Sequence, residues 1–140
     1  MHDGLIDDIF HPRFVFFSPV HRDELDGFGR LERSRFTAHV DAAIAGWQMN
    51  MANKGEQTVA VRDFAIELLD VVIGPTTMRI DVWVEHLDPT SCVFGFLCSS
   101  ESGVTAFARG ERTITRLDAP WSSGFLDKHA TLTKHLPAYA

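Results

Sequence analysis

An α+β architecture, one long helix laid against an antiparallel sheet, is predicted by three observations. Thr76 to Leu87 and Ser91 to Ser100 alternate residues of two kinds with period two, the mark of strands covered on one face. Between Phe36 and Met51 apolar residues recur at steps of four, three, four and four (Phe36, Val40, Ala43, Trp47, Met51), which is one buried face of a helix. Turn signals at Gly74-Pro75, Asp88-Pro89 and Glu101-Ser102-Gly103 cut the second half of the chain into hairpins.

Taken in order, Phe14 to Val20 (FVFFSPV) is short, aromatic and β-branched and reads as a first strand ended near Pro19. The acidic loop Glu24-Leu25-Asp26-Gly27-Phe28-Gly29 follows, with two glycines within three residues that permit turns a Cβ resists. Ser34 is placed to cap the helix, because its hydroxyl can accept from a first-turn amide. Ala38, Ala42, Ala45 and Ala52 keep the cylinder slim, as close approach to a sheet requires, and Gly55 is a suitable stop. Thr58 to Leu69 is a second strand with less cleanly separated faces. In Thr76 to Leu87, Met78, Ile80, Val82 and Val84 share one face, against Thr77, Arg79, Asp81 and Glu85. In Ser91 to Ser100 the apolar face is Cys92, Phe94, Phe96 and Cys98, and Val104 to Thr115 is the last strand. Ser122 to His135 reads as a short amphipathic tail helix. The whole of residues 1–140 is expected to be one domain, with its core at about 14–120.

Composition narrows the function. A net charge of −6 with no basic stripe argues against nucleic-acid binding, since phosphates require a Lys/Arg surface. Met1 to Arg13 carries Asp3, Asp7 and Asp8 and no long apolar run, so neither a secretory signal nor a membrane span is expected, and a cytoplasmic protein is. Seven scattered histidines without HxxxH or HxH spacing give no metal site. Cys92 and Cys98, roughly 20 Å apart along a strand at about 3.3 Å per residue, cannot bridge and read as small buried groups.

The element order and the run Glu24-Leu25-Asp26-Gly27-Phe28-Gly29-Arg30-Leu31, with Phe36 beyond it, resemble the hotdog-fold acyl-CoA thioesterases, specifically the 4-hydroxybenzoyl-CoA thioesterase-like group. That family's loop pattern is of the type D-x-D-x-x-G-H-V ahead of an aromatic residue in the helix. Val40-Asp41, Ser91 and Leu117-Asp118 also fall where the family has related features. The resemblance implies a hotdog fold, a long central helix wrapped by a curved antiparallel sheet. It implies hydrolysis of an acyl-CoA or acyl-carrier-protein thioester, no cofactor beyond the substrate's thiol carrier, and a homodimer or homotetramer with active sites at the interface. The long strands Thr76 to Leu87 and Ser91 to Ser100 are expected to present the edges through which copies pair. Arg30 departs from the family's His or small apolar residue.

By that resemblance Asp26 is the catalytic carboxylate, as nucleophile or general base, and the backbone amide near Arg33 at the helix start polarises the thioester carbonyl. Asp41 is an alternative carboxylate, because a related branch of the fold places its acid about two turns into the helix. Gly29, Arg30, Phe36 and His21 are the substrate-binding candidates. Each has a plainer reading. Asp26 on residue type alone is a turn former; Asp41 is a solvated or interface carboxylate; His39 is a packing or interface group; His21 is an exposed strand-end histidine. Arg30, Arg33 and Arg35 are either contacts for CoA phosphates or a solvated patch offsetting Asp23, Glu24 and Glu32. A non-hydrolytic module that binds an acyl thioester, a pathway intermediate or a protein partner is the alternative function. A dehydratase is weaker, since no histidine-containing dehydratase motif is visible.

Overall fold

The computed structural model describes residues 13–50 and 59–116, apart from the side chains of 48–50 and 59–62. Gly55 and the tail helix expected at Ser122 to His135 lie outside the described residues. Strand β1 (Phe14–Val20) leads through a 3-10 turn at Arg22–Glu24 and a tight loop to a second 3-10 turn at Arg33–Arg35, which runs straight into helix α1 (Phe36–Asn50). Four strands follow: β2 (Val59–Leu68), β3 (Thr76–Leu87), β4 (Ser91–Ser100) and β5 (Ala106–Arg116).

All strand pairings are antiparallel and the order across the sheet is β1-β3-β4-β5-β2. The β3-β4-β5 meander is the one that the hairpin turns dictate. The two earlier strands then add to its outer sides, β1 on β3 and β2 on β5. This corrects the expectation about edges. Thr76–Leu87 and Ser91–Ser100 are interior, each hydrogen-bonded on both sides, and the edges among the described residues are β1 and β2. Sequence alternation reports burial of a face and carries no information about which neighbour fills a strand's sides.

The core lies between one face of the sheet and α1. Met78, Ile80, Val82 and Val84 of β3 and Cys92, Phe94, Phe96 and Cys98 of β4 are buried there, as alternation predicts. From the helix come Phe36, Val40, Ala43, Ile44 and Trp47, with the Trp47 ring meeting Phe94 edge-on at 5.1 Å between centroids. Such a contact is worth about 1 kcal/mol beyond the area it buries.

Two local expectations change. Ser34 is not an N-cap: it sits inside the 3-10 turn, which follows an extended Glu32 and has no side-chain cap. The helix starts through that turn, the Arg35 amide donating to the Glu32 carbonyl, so a tight turn takes the place of a hydroxyl cap. Ala38, Ala42 and Ala45 face outward. Close approach is supplied instead by buried Ala43 and by Gly46, where a Cβ would stand 3.2 Å from the Phe16 ring.

Glycine also sets the spacing between strands. A Cβ at Gly110 would lie 1.9 Å from the Ala65 carbonyl oxygen of β2, whereas one at Gly95 would lie 2.4 Å from the Trp83 indole, a side chain that can move. Gly110→Ala is therefore expected to cost about 3 kcal/mol or more and Gly95→Ala distinctly less, read as midpoints of urea unfolding.

Candidate active site

The loop that follows the first 3-10 turn is a miniature hairpin. Leu25 and Leu31 form an antiparallel bridge, the Asp26 amide donates to the Arg30 carbonyl at 2.8 Å, and Gly29 adopts φ 76°, the left-handed region that favours glycine. Asp26 is the pivot of this turn. Its Oδ1 accepts the amides of Phe28 at 2.8 Å and Arg30 at 3.0 Å, and its Oδ2 lies 3.4 Å from Arg30 Nε. The Arg30 amide, with the Phe28 amide and the Arg30 charge behind it, holds the Asp26 carboxyl below its ordinary range. Asp26 therefore does act as a turn former, and it is ionised at neutral pH.

The hairpin is fastened to the segment after β2. Leu31 donates to the Val72 carbonyl at 2.9 Å, Gly74 donates to the Gly29 carbonyl at 2.8 Å, and Arg30 bridges to Ile73. Between hairpin, helix start and this segment lies a cavity of about 360 Å³. Asp26 and Arg30 line it from the hairpin, Phe36 from the first residue of α1, and Leu68, Leu69 and Val71 from the end of β2 and beyond. Leu31 and Asp70 complete the wall. A carboxylate, a helix start and an apolar wall thus share one open cleft.

A larger cavity, about 580 Å³, opens on the sheet face turned away from the helix, near Trp83, Glu85, Leu97, Arg109 and Glu111. Four of its polar groups are engaged in pairs, Trp83 Nε1 donating to Glu85 at 2.7 Å and Arg109 Nε to Glu67 at 2.9 Å. No described helix start faces it, and the smaller cavity has the better chemistry for a carbonyl substrate.

The chain resembles known structures at the level of architecture. No family model and no curated protein matches the sequence. Among solved structures, the PA2801 protein from Pseudomonas aeruginosa, a candidate thioesterase, aligns with a TM-score of 0.72 at 14% identity, over 81% of this chain and 95% of that one. A candidate thioesterase from Pseudomonas putida KT2440 aligns at 0.73 and 14% identity, over 92% and 90%. Slr0204 from Synechocystis, a 1,4-dihydroxy-2-naphthoyl-CoA thioesterase, aligns at 0.68 and 14% identity, over 89% and 97%. The chain has the hotdog fold. In this hotdog domain the fold expected from the loop pattern and element order is the fold observed.

Of the residues singled out from sequence, Asp26, Arg30 and Phe36 meet at the smaller cavity. Gly29 shapes the turn behind it through its backbone. His21 is exposed, its amide donating to Glu24 Oε2 at 2.9 Å, so its nearest carboxylate is Glu24 rather than Asp26. Arg33 begins the 3-10 turn, where its amide has no acceptor within the turn, and its guanidinium donates to the Ile66 carbonyl at 3.3 Å. Asp41 stands apart: both its oxygens accept from Arg112 of β5 at 2.9 Å. Arg112 is buried and lies 5.1 Å above the Phe64 ring, which stacks in turn on Phe96.

Sequence reading missed Asp70, the second carboxylate of the cavity, and the apolar wall Leu68-Leu69-Val71, which follows a strand without any motif of its own. It also missed the pairing of Asp41 with Arg112, 71 positions apart. No group of three or more His, Cys, Asp or Glu able to hold a metal occurs among the described residues, and no described helix is long and apolar enough to cross a membrane.

Removing Asp41 leaves a buried guanidinium without its carboxylate. Asp41→Ala is expected to lower stability by about 2 kcal/mol, and the double variant Asp41→Ala/Arg112→Met to recover part of that loss in chemical denaturation.

Proposed function

We propose that this protein is a thioesterase, hydrolysing an acyl-CoA or acyl-carrier-protein thioester to free acid and thiol. The observation that carries the reading is the single cavity in which the Asp26 carboxylate faces the start of α1 across apolar walls. The thioester carbonyl lies over the helix start, where the Arg33 amide, with no acceptor within the turn, supplies a donor for the developing oxyanion. In one route Asp26 attacks the carbonyl carbon, the C–S bond breaks, the thiolate takes a proton from solvent, and water then hydrolyses the acyl–Asp26 anhydride to free acid and carboxylate. In the other, Asp26 takes a proton from the attacking water, and passes it to the thiolate as the tetrahedral centre collapses and the C–S bond breaks. Leu68, Leu69, Val71 and Phe36 hold the acyl group, and Arg30, exposed at the mouth, meets the carrier's phosphates. The active unit is a homodimer or homotetramer of a cytoplasmic protein. The open edge of β2, whose last residue Leu68 lines the cavity, is the surface through which copies pair.

One observation favours the second reading, a module that binds an acyl thioester without cleaving it. Both oxygens of Asp26 are already engaged by the loop, and a carboxylate held below its usual range is a weak base. The ionised form is what both nucleophilic attack and proton abstraction require, and its lowered basicity weakens Asp26 in either role.

Thiol release from a panel of aryl and short, medium and long acyl-CoAs separates the readings. Cleavage by wild type, lost by about a hundredfold or more in Asp26→Asn and retained in Asp41→Asn, is the expected result. Thermal protection by an acyl-CoA that is not consumed would establish the binding module.

The lowered Asp26 pKa fixes a sign. A group whose folded value lies below its ordinary 3.8 stays charged down to that lower value, so the acid limb of kcat/KM falls below pH 3.8. Arg30→Ala removes one of the causes and is expected to move that limb upward.

A further inference from the structure

The helix carries a buried polar chain that the cavity does not use. His39, one turn beyond Phe36, is only 7% exposed. Its Nε2 is 2.6 Å from Glu24 Oε1 and its Nδ1 is 2.6 Å from Ser18 Oγ. Ser18 is itself buried on the helix-facing side of β1. The other Glu24 oxygen accepts the His21 amide at 2.9 Å, so both carboxylate oxygens are used. Three elements, β1, the loop after it and α1, converge on one imidazole.

Serine, histidine and carboxylate in a row resemble a hydrolytic triad, but the geometry excludes that role. The Ser18 hydroxyl lies between sheet and helix, 5% exposed, and does not line the cavity. No acyl group reaches it. Burial raises the Glu24 carboxyl, but the His21 amide and the His39 ring outweigh that and leave it below its ordinary value. An ionised carboxylate only accepts, so His39 Nε2 carries the proton. The Ser18 hydroxyl can donate to a neutral ring or accept from a charged one, and the chain stays joined in both states.

Glu24 stands two residues before Asp26 and ends the 3-10 turn, with its own amide on the His21 carbonyl at 3.0 Å. The hairpin that aims Asp26 is therefore held at two places. One is the backbone link to Val72 and Gly74; the other is the Glu24 bond to the helix through His39. A hydrogen bond to an ionised group at this distance is among the stronger kinds. With it cut, the hairpin keeps its link to the segment after β2 and is free to swing away from the start of α1.

We infer that His39 is a positioning residue, which through Glu24 fixes the Asp26 hairpin against the helix start, with Ser18 setting the orientation of the ring. This rests on Asp26 being the reacting carboxylate, and one of its two tests does not. The first test is amide hydrogen exchange of Phe28 and Arg30, the donors to Asp26, in full-length wild type, His39→Phe and His39→Gln. Phenylalanine keeps the bulk and removes both hydrogen bonds, while glutamine retains a donor toward Glu24. Exchange about tenfold faster in His39→Phe, largely restored in His39→Gln, is expected. Unchanged exchange in His39→Phe would overturn the inference.

The second test is steady-state turnover of whichever thioester the wild type cleaves. His39→Phe is expected to lower kcat by about tenfold with KM within about a factor of three, again restored by glutamine. Equal kcat in wild type and His39→Phe would also overturn it. If wild type cleaves no thioester, the proposed function fails while the exchange measurement still decides the positioning role. If His39→Phe does not fold, Glu24→Ala removes the partner from the exposed side, and the same two amides are read.

Discussion

One contact governs this molecule: the apolar stripe of α1 pressed on the inner face of the sheet. A helix whose buried residues are Phe36, Val40, Ala43, Ile44 and Trp47 is not stable alone, and the sheet's Phe94, Phe96, Met78, Ile80 and Val82 have no other cover among the described elements. Gly46 and Ala43 let the two surfaces approach closely at Phe14 and Phe16. Once the helix lies there, its first residue stands beside the end of β2, and the preceding loop has to cross the gap between them. The cavity is what remains in that crossing.

Polar groups then fix what apolar packing leaves adjustable. Burying side chains is insensitive to small slides of the helix along the sheet, whereas paired hydrogen bonds are not. Asp41 with Arg112 joins the helix to β5, and His39 with Ser18 joins it to β1. These two ties hold the helix to two different strands of the sheet.

Most of the architecture was legible because it is written locally. The bounds of β1, β3 and β4 follow from alternation and turn residues, and the structure reproduces them at Phe14–Val20, Thr76–Leu87 and Ser91–Ser100. Sheet order was not legible, since joining β2 to β5 and β1 to β3 depends on contacts distant in the chain. The helix start was misread at Ser34 because a tight turn can replace a hydroxyl cap, and residue type does not distinguish them. Within the site, Asp26, Arg30 and Phe36 were visible through a motif. Asp70, Arg112 and the partners of His39 were not, because no spacing links Ser18, Glu24 and His39 until the chain folds.

Both cysteine sulfurs of the protein sit in the core, on the face of β4 that meets the helix. Burial pushes the pKa of the Cys98 thiol up to about 12 and that of Cys92 further still, so neither forms a thiolate near neutrality. A disulfide dye that captures the thiol of a cleaved substrate reacts with thiolates and is blind to these two while the sheet is closed. The folded protein therefore has a chemically silent background in such an assay. Any slow rise in signal without substrate counts molecules whose β4 has come away from the helix, making the two cysteines an internal clock for opening of the core.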